Sequence, residues 1–348
     1  MASESANGTA YRPKVLLLGA LLTDPRSAHT AWSTITTLAD VITPTSTSRS
    51  DFIAESRSGT FDGCTITYRT FASISITGHI DAELLSALPP SLKFIVHNGA
   101  GYDQISIPAC SERGIRVSNT PTAVDDATAD MAIFLMLGAL RNVAPTILSL
   151  RRGEWRGKVP PALGHDPRGK VLGILGMGGI GKNMARKARL AFGMDVRYHN
   201  REKLSEEEER EVGAEWVDFE RLLGESDVLS LNLPLNANTR HIISTREFAR
   251  MKKGVTIVNT ARGAVMDEAA LVEALNSGRV GSVGLDVYED EPTVHPGLIE
   301  NPQAFLVPHM GTYTVETETK MEEWAISNVR MAIESGVLRS VVPEQRER

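Results

Sequence analysis

One stretch constrains this chain more than any other: VLGILGMGGIG, Val171–Gly181, running into KNMARKA. A short apolar run meets glycines at 176, 178, 179 and 181. A helical pattern follows, with an apolar face at Ile180, Met184 and Ala188. Few folds satisfy a strand, then G-x-G-x-x-G, then a helix. Gly176 permits the tight turn, Gly178 lets backbone approach a pyrophosphate, and Gly181 lets the helix pack on the strand. Gly179 and Ile180 open the helix, whose unpaired amides and positive dipole end favour phosphate.

The rest of the chain repeats the alternation. Buried-strand patterns occur at KVLLLGA (Lys14–Ala20), CTITYRT from Cys64, KFIVHNGAG from Lys93 and IRVSN from Ile115. A second series of six starts at Val171 and continues through DVRYHN, VLSLNLP, VTIVNTARG, VGSVGLDVY and FLVPHMG. Amphipathic segments between them imply parallel sheets with helices on both faces. The expected fold is α/β with two doubly wound domains, one flavodoxin-like and one Rossmann-like, and an active-site cleft between them. The first domain spans residues 1–120 and is completed by a C-terminal helix in 313–348. The second spans 121–312. TAVD (Thr122–Asp125) reads as a capping box for a long apolar helix ending at Arg141 and Asn142. Arg151–Lys170, rich in Gly, Pro and charge, reads as loop. SEEEERE from Ser205 reads as a solvated helix face.

Several function classes fall away on composition. A chain of 348 residues accommodates about two domains. A net charge of −6 disfavours a nucleic-acid partner. Two cysteines, Cys64 and Cys110, suit a reducing compartment. No apolar run reaches the ~18 residues of a bilayer span. The start, MASESANGTAYRP, lacks a signal-peptide centre and reads as a frayed tail, so the cytoplasm is expected. No metal is expected, because neither C-x-x-C nor H-x-x-x-H spacing occurs. The nucleophile elbow G-x-S-x-G is absent too.

The end of the second Rossmann strand, DVRYHNREKL, carries the cofactor preference. An acidic residue there would accept from a ribose 2′-hydroxyl and repel a 2′-phosphate. Asn200 is neutral and Arg201 is a forked phosphate donor, which favours NADP over NAD.

Three further motifs follow in order: NTARGAVMDEAAL (Asn259–Leu271), GLDVYEDEP (Gly284–Pro292) and VPHMGT (Val307–Thr312). With GILGMGGIG they resemble the D-isomer-specific 2-hydroxyacid dehydrogenases. ATADMAIFLMLGALRN, YHNR and VPHMGT resemble the fungal glyoxylate and hydroxypyruvate reductases within that family. The resemblance implies a catalytic set of Arg262, Glu291 and His309. Alone, an Arg after a strand, an acidic turn or one of eight histidines says little; three motifs in register say more. The residue types suit keto-acid reduction. Arg262 can bind the carboxylate and carbonyl oxygen, His309 can serve as general acid, and Glu291 can orient the ring. The resemblance further implies substrate-carboxylate amides at Ala100 and Gly101, in HNGAGYD. It implies cofactor contacts at Pro234, Thr239, Thr260, Ala261 and Asp286, the last accepting from the nicotinamide amide. Asn232 departs from the family, where many relatives place a His.

The expected activity is NADPH-dependent reduction of glyoxylate or hydroxypyruvate to glycolate or D-glycerate. Rival readings are reduction of bulkier, mandelate-type keto acids, with Tyr68–Ile80 shaping the choice, or a dinucleotide-sensing corepressor of the same fold. The apolar helix Ala127–Leu140 exceeds what one hinge helix needs to bury, so a homodimer using it is expected.

Overall fold

The computed structural model describes residues 12–21, 28–157 and 160–346. The N-terminal stretch through Tyr11, read above as a tail, lies outside them. The chain forms two compact units: residues up to Ala123 together with Val315 onward, and Val124–Thr314. These limits fall a few residues beyond 120 and 312. Thr120 is still bonded into the first unit, its amide donating to Gly99 O at 2.9 Å.

In the first unit, β1 (Lys14–Leu18), β2 (Asp40–Ile42), β3 (Cys64–Thr70), β4 (Phe94–Asn98) and β5 (Arg116–Ser118) form a parallel sheet. Their order is β2-β1-β3-β4-β5, the flavodoxin-like arrangement. Side-chain alternation gives each face its own core. Leu16, Leu18, Ile95 and Val117 pack with Phe52, Phe61, Leu84 and Leu85. Val15, Ile66, Tyr68 and Val96 pack with Trp32, Ile35, Ala325, Ile326 and Val329. The last three lie on the helix Val315–Ser335, which thereby belongs to this unit. Cys64 and Cys110 are buried free thiols, and burial pushes them up to about 11 and about 12.

The second unit has one strand more than the six expected. β6 (Val171–Leu175), β7 (Asp195–His199), β8 (Ala214–Trp216), β9 (Val228–Leu231), β10 (Val255–Asn259), β11 (Val280–Leu285) and β12 (Ala304–Leu306) are all parallel. Their order is β12-β11-β10-β9-β6-β7-β8, so strand order reverses between β6 and β9. Open α/β sheets bind ligands beyond the strand carboxyl ends at such a switch point.

The capping-box expectation fails. The long helix starts at Asp125, and its preceding residue, Val124, has helical dihedrals and offers no side-chain cap. A Ser/Thr cap requires an extended residue just before the helix. Asp125 and Asp126 in the first turn instead complement the dipole. The dimer argument also needs correcting. Asp125–Leu140 buries Ala129, Ala132, Leu135 and Met136 inside its own unit, against β10, β11 and the helix Gly179–Phe192. Its apolarity is therefore largely absorbed at home. Beyond Phe134, the exposed apolar residues here lie on the next helix, Val143–Arg151, which was not foreseen and buries none of its residues. Leu148 and Leu150 there are each 57% exposed.

The described part of Arg151–Lys170 is loop after Arg151 itself. The acidic run is the helix Glu206–Val212, with a reciprocal Ser205–Glu208 capping box. It is less solvated than expected: Glu208 pairs with Lys182 at 2.7 Å, and Glu209 accepts from Tyr198 Oη at 2.8 Å.

Candidate active site

The glycine loop lies between β6 and the helix Gly179–Phe192. Gly176 has φ of 100°, and a side chain there would lie 2.7 Å from Asn232 O. At Gly181 a Cβ would lie 2.5 Å from Gly176 O. At Gly178 it would meet nothing within 4 Å. Two glycines thus serve internal packing, while the third faces open space at the helix N-terminus, as phosphate approach requires. The sequence reading missed the reason for Gly179: Asp125 fills the space a side chain would need.

Asn200 has a task that spacing could not reveal. Its Oδ1 accepts from Met177 N at 2.7 Å, holding the glycine loop to the end of β7. Arg201 is exposed, and its guanidinium has no partner among the described residues. At the ends of β9 and β10, Asn232 Oδ1 and Thr260 Oγ1 are buried without a hydrogen-bond partner. Thr239 Oγ1 donates to Pro234 O at 2.6 Å and shapes that turn. Open space at Gly178 and two orphaned acceptors beyond the strand ends fit a dinucleotide.

Three turns bring the motif residues Arg262, Glu291 and His309 together within this unit. After β10, Asn259 is fully buried; its Oδ1 accepts from Ala261 N at 3.0 Å and its Nδ2 donates to Arg262 O at 2.9 Å. This bracket sets the Thr260–Arg262 turn. A Cβ on Gly263 would lie 1.9 Å from the Tyr288 carbonyl carbon, so the Arg262 turn packs backbone to backbone on the turn carrying Glu291. Glu291 Oε1 accepts from Tyr288 N at 3.0 Å. Its Oε2 receives His309 Nδ1 at 2.8 Å.

His309 sits at φ of 55°, a left-handed conformation that a non-glycine residue adopts at a cost. Asp286 holds it there. The Asp286 carbonyl accepts from His309 N at 2.8 Å, and its carboxylate accepts from Met310 N and, at 2.8 Å, from Gly311 N. The side chain expected to meet a nicotinamide amide therefore also clamps the histidine turn. Burial pushes the Asp286 carboxyl up, only partly offset by those amides and His309.

The electrostatics at Glu291 run the other way. Burial would raise its pKa, but the hydrogen bond and charge of His309, the Tyr288 amide and Arg262 together hold it below the usual range. The Nδ1 bond to Glu291 fixes the orientation of the His309 ring. The His309 side chain is 35% exposed, within reach of a small molecule.

Ala100 and Gly101 lie in the first unit, half-exposed, just after β4. A surface hollow of about 520 Å³ lies elsewhere, around Arg189, Asp195, Arg197 and Lys203. It opens at the start of β7, at the end of the strand opposite the glycine loop, and there Arg197 pairs with Glu215 and Lys203 with Glu209.

The sequence profile of the D-isomer specific 2-hydroxyacid dehydrogenase NAD-binding domain matches residues 133–311. The 4-methyl-2-oxopentanoate reductase A of Aspergillus oryzae is 53% identical over 96% of this chain and 99% of its own. A glyoxylate reductase structure from Paecilomyes thermophila superposes with a TM-score of 0.91 at 53% identity, covering 96% of this chain and 99% of its own. The D-mandelate dehydrogenase of Rhodotorula graminis in its holo form gives 0.88 at 34% identity, covering 95% and 98%. The two parallel sheets, the glycine loop at the switch point and these likenesses agree: the chain belongs to the D-isomer specific 2-hydroxyacid dehydrogenase family.

Proposed function

We propose that this protein reduces the small 2-keto acids glyoxylate and hydroxypyruvate to D-2-hydroxy acids, with NADPH preferred to NADH. The observation that carries the reading is the 2.8 Å His309–Glu291 bond on a turn packed against the Arg262 loop. Arg262 binds the carboxylate and carbonyl oxygen as a forked donor. When bound, the reduced nicotinamide supplies the hydride for the carbonyl carbon. His309 gives its Nε2 proton to the carbonyl oxygen, and Glu291 holds the ring through the Nδ1 bond. Gly176–Gly181, Asn200, Arg201, Pro234, Thr239, Thr260, Ala261 and Asp286 hold the dinucleotide on the unit Val124–Thr314. The first unit serves the substrate, through Ala100 and Gly101. The neutral Asn200 and the exposed, unpaired Arg201 support the choice of NADPH.

A second reading is a branched or aromatic keto acid. The A. oryzae relative named for 4-methyl-2-oxopentanoate favours it, being as similar as the glyoxylate reductase structure. Oxidation of NADPH and NADH with glyoxylate, hydroxypyruvate, 4-methyl-2-oxopentanoate and phenylglyoxylate decides. The highest kcat/KM is expected for glyoxylate with NADPH. A higher value for either larger acid would install the second reading, and no turnover at all would defeat both. In the same assay Arg201→Ala should weaken NADPH roughly 10- to 150-fold and spare NADH, the loss of one charge-assisted phosphate contact. Equal weakening of both cofactors would remove Arg201 from the 2′-phosphate.

A further inference from the structure

The loop after β4 has its carbonyls tied inward one after another. Gly99 O accepts from Thr120 N at 2.9 Å. Ala100 O accepts from Asn119 Nδ2 at 2.7 Å. Gly101 O accepts from His97 Nε2 at 2.9 Å. In a planar trans peptide the carbonyl and the following N–H point in opposite directions. Each inward carbonyl therefore turns the next amide, at Ala100, Gly101 and Tyr102, the other way. The Ala100 and Gly101 amides have no acceptor among the described residues. Successive outward amides make a concavity for an anion.

The two side chains that do the tying are themselves fixed. His97 is 1% exposed and Asn119 is 6% exposed. A Cβ on Gly99 would lie 2.6 Å from His97 Nε2, so that glycine leaves room for the ring. Asn119 O accepts from Ser340 Oγ at 2.6 Å. Ser340 Oγ in turn accepts from Trp324 Nε1 at 3.0 Å and Asn328 Nδ2 at 3.1 Å. The C-terminal segment thus braces Asn119, which braces the loop. A second feature favours an anion here. β3–β4 register pairs Arg69 with His97. Arg69 is fully buried and donates to Gln104 Oε1 at 2.6 Å, and its Nη1 has no hydrogen-bond partner. Among the described residues, Asp103 is the charge that favours its ionised form against burial.

We propose that Asn119 and His97 are positioning residues that aim the Ala100 and Gly101 amides at the carboxylate of the keto acid. The inference rests on the reading of the chain as a 2-keto-acid reductase. Asn119→Asp keeps the shape but puts an acceptor against Ala100 O. His97→Leu removes the donor to Gly101 O, and His97→Gln retains one at similar reach. Asn119→Asp and His97→Leu should each raise KM for glyoxylate about tenfold, the worth of roughly one hydrogen bond. The inhibition constant of oxalate should rise in parallel. Values of kcat should stay within about twofold, NADPH affinity should hold, and His97→Gln should restore KM. A merely structural role would lower melting temperature and kcat without moving KM and oxalate inhibition together. Unchanged KM in both folded variants overturns the proposal. If Asn119→Asp does not fold, equal KM for His97→Leu and His97→Gln overturns it. Wild-type protein that turns over no keto acid would sink the functional reading instead. Calorimetric oxalate binding, wild type against His97→Leu, would then decide the loop's role by itself.

Discussion

Glu291 is half-buried and bonded to His309, so its charge bears on how that turn is held. The depressed carboxyl pKa means that Glu291 remains ionised well below neutrality. Its contribution to stability is present above the unfolded carboxyl value and lost as pH falls through the depressed one. Glu291→Gln keeps the shape and removes the charge. On the proposed reading kcat/KM should fall, because the ring loses its charged partner, while the acid-side loss of melting temperature that accompanies Glu291 protonation should shrink. Thermal melts across acid pH and kcat/KM of the variant measure this. An unchanged acid-side loss means the Glu291 charge does not hold this turn. At this scale Arg262, Glu291 and His309 were put forward because each sits in a motif of fixed spacing, and the structure bonds Glu291 to His309. The work of Asp286 and Asn259 was not, because their partners are backbone amides and carbonyls that no side-chain pattern marks.

Among the elements, the glycine loop separates ligand approach from internal packing. Gly178 has φ of −80° and open space where a Cβ would be. Gly178→Ala should therefore leave the ligand-free melting temperature nearly unchanged while weakening NADPH. Gly181→Ala would drive a methyl against Gly176 O, and should cost about 1–3 kcal/mol of stability. Thermal melts without ligand and fluorescence titration of NADPH distinguish the two. Wild-type NADPH affinity in Gly178→Ala would contradict the assignment of that face to the pyrophosphate. The elements that sequence reading missed are short or peripheral. Asp40–Ile42 and Ala214–Trp216 have three residues each and no fully buried position, so their hydrophobic pattern is too brief to register.

For the whole molecule, the unpartnered apolar surface on Val143–Arg151 bears on assembly. This helix meets Asp125–Leu140 at 81° and carries Ile147, Leu148 and Leu150 outward, with Phe134 51% exposed on its neighbour. No single helix among the described residues is long and apolar enough to cross a membrane. A homodimer that covers this surface is expected, with twice the chain mass of 37.8 kDa by light scattering at micromolar concentration. Leu148→Glu with Leu150→Glu should shift the mass to that of a monomer. A wild-type monomer would defeat the expectation.

Alternation of apolar runs, the glycine spacing and the ordered motifs determined the α/β class, the parallel sheets, the family and the residues put forward for catalysis. These are local or periodic properties, and a sequence displays them directly. Tertiary structure decided what each position does for its neighbours. It set Asn200 under the glycine loop, Asp286 beneath the His309 turn, and Asn119 and His97 behind the Ala100 and Gly101 carbonyls. It also moved the exposed apolar surface from the long helix to the one after it. Such assignments depend on burial and on hydrogen bonds to backbone groups, most of them far apart in the chain, and no side-chain pattern encodes them.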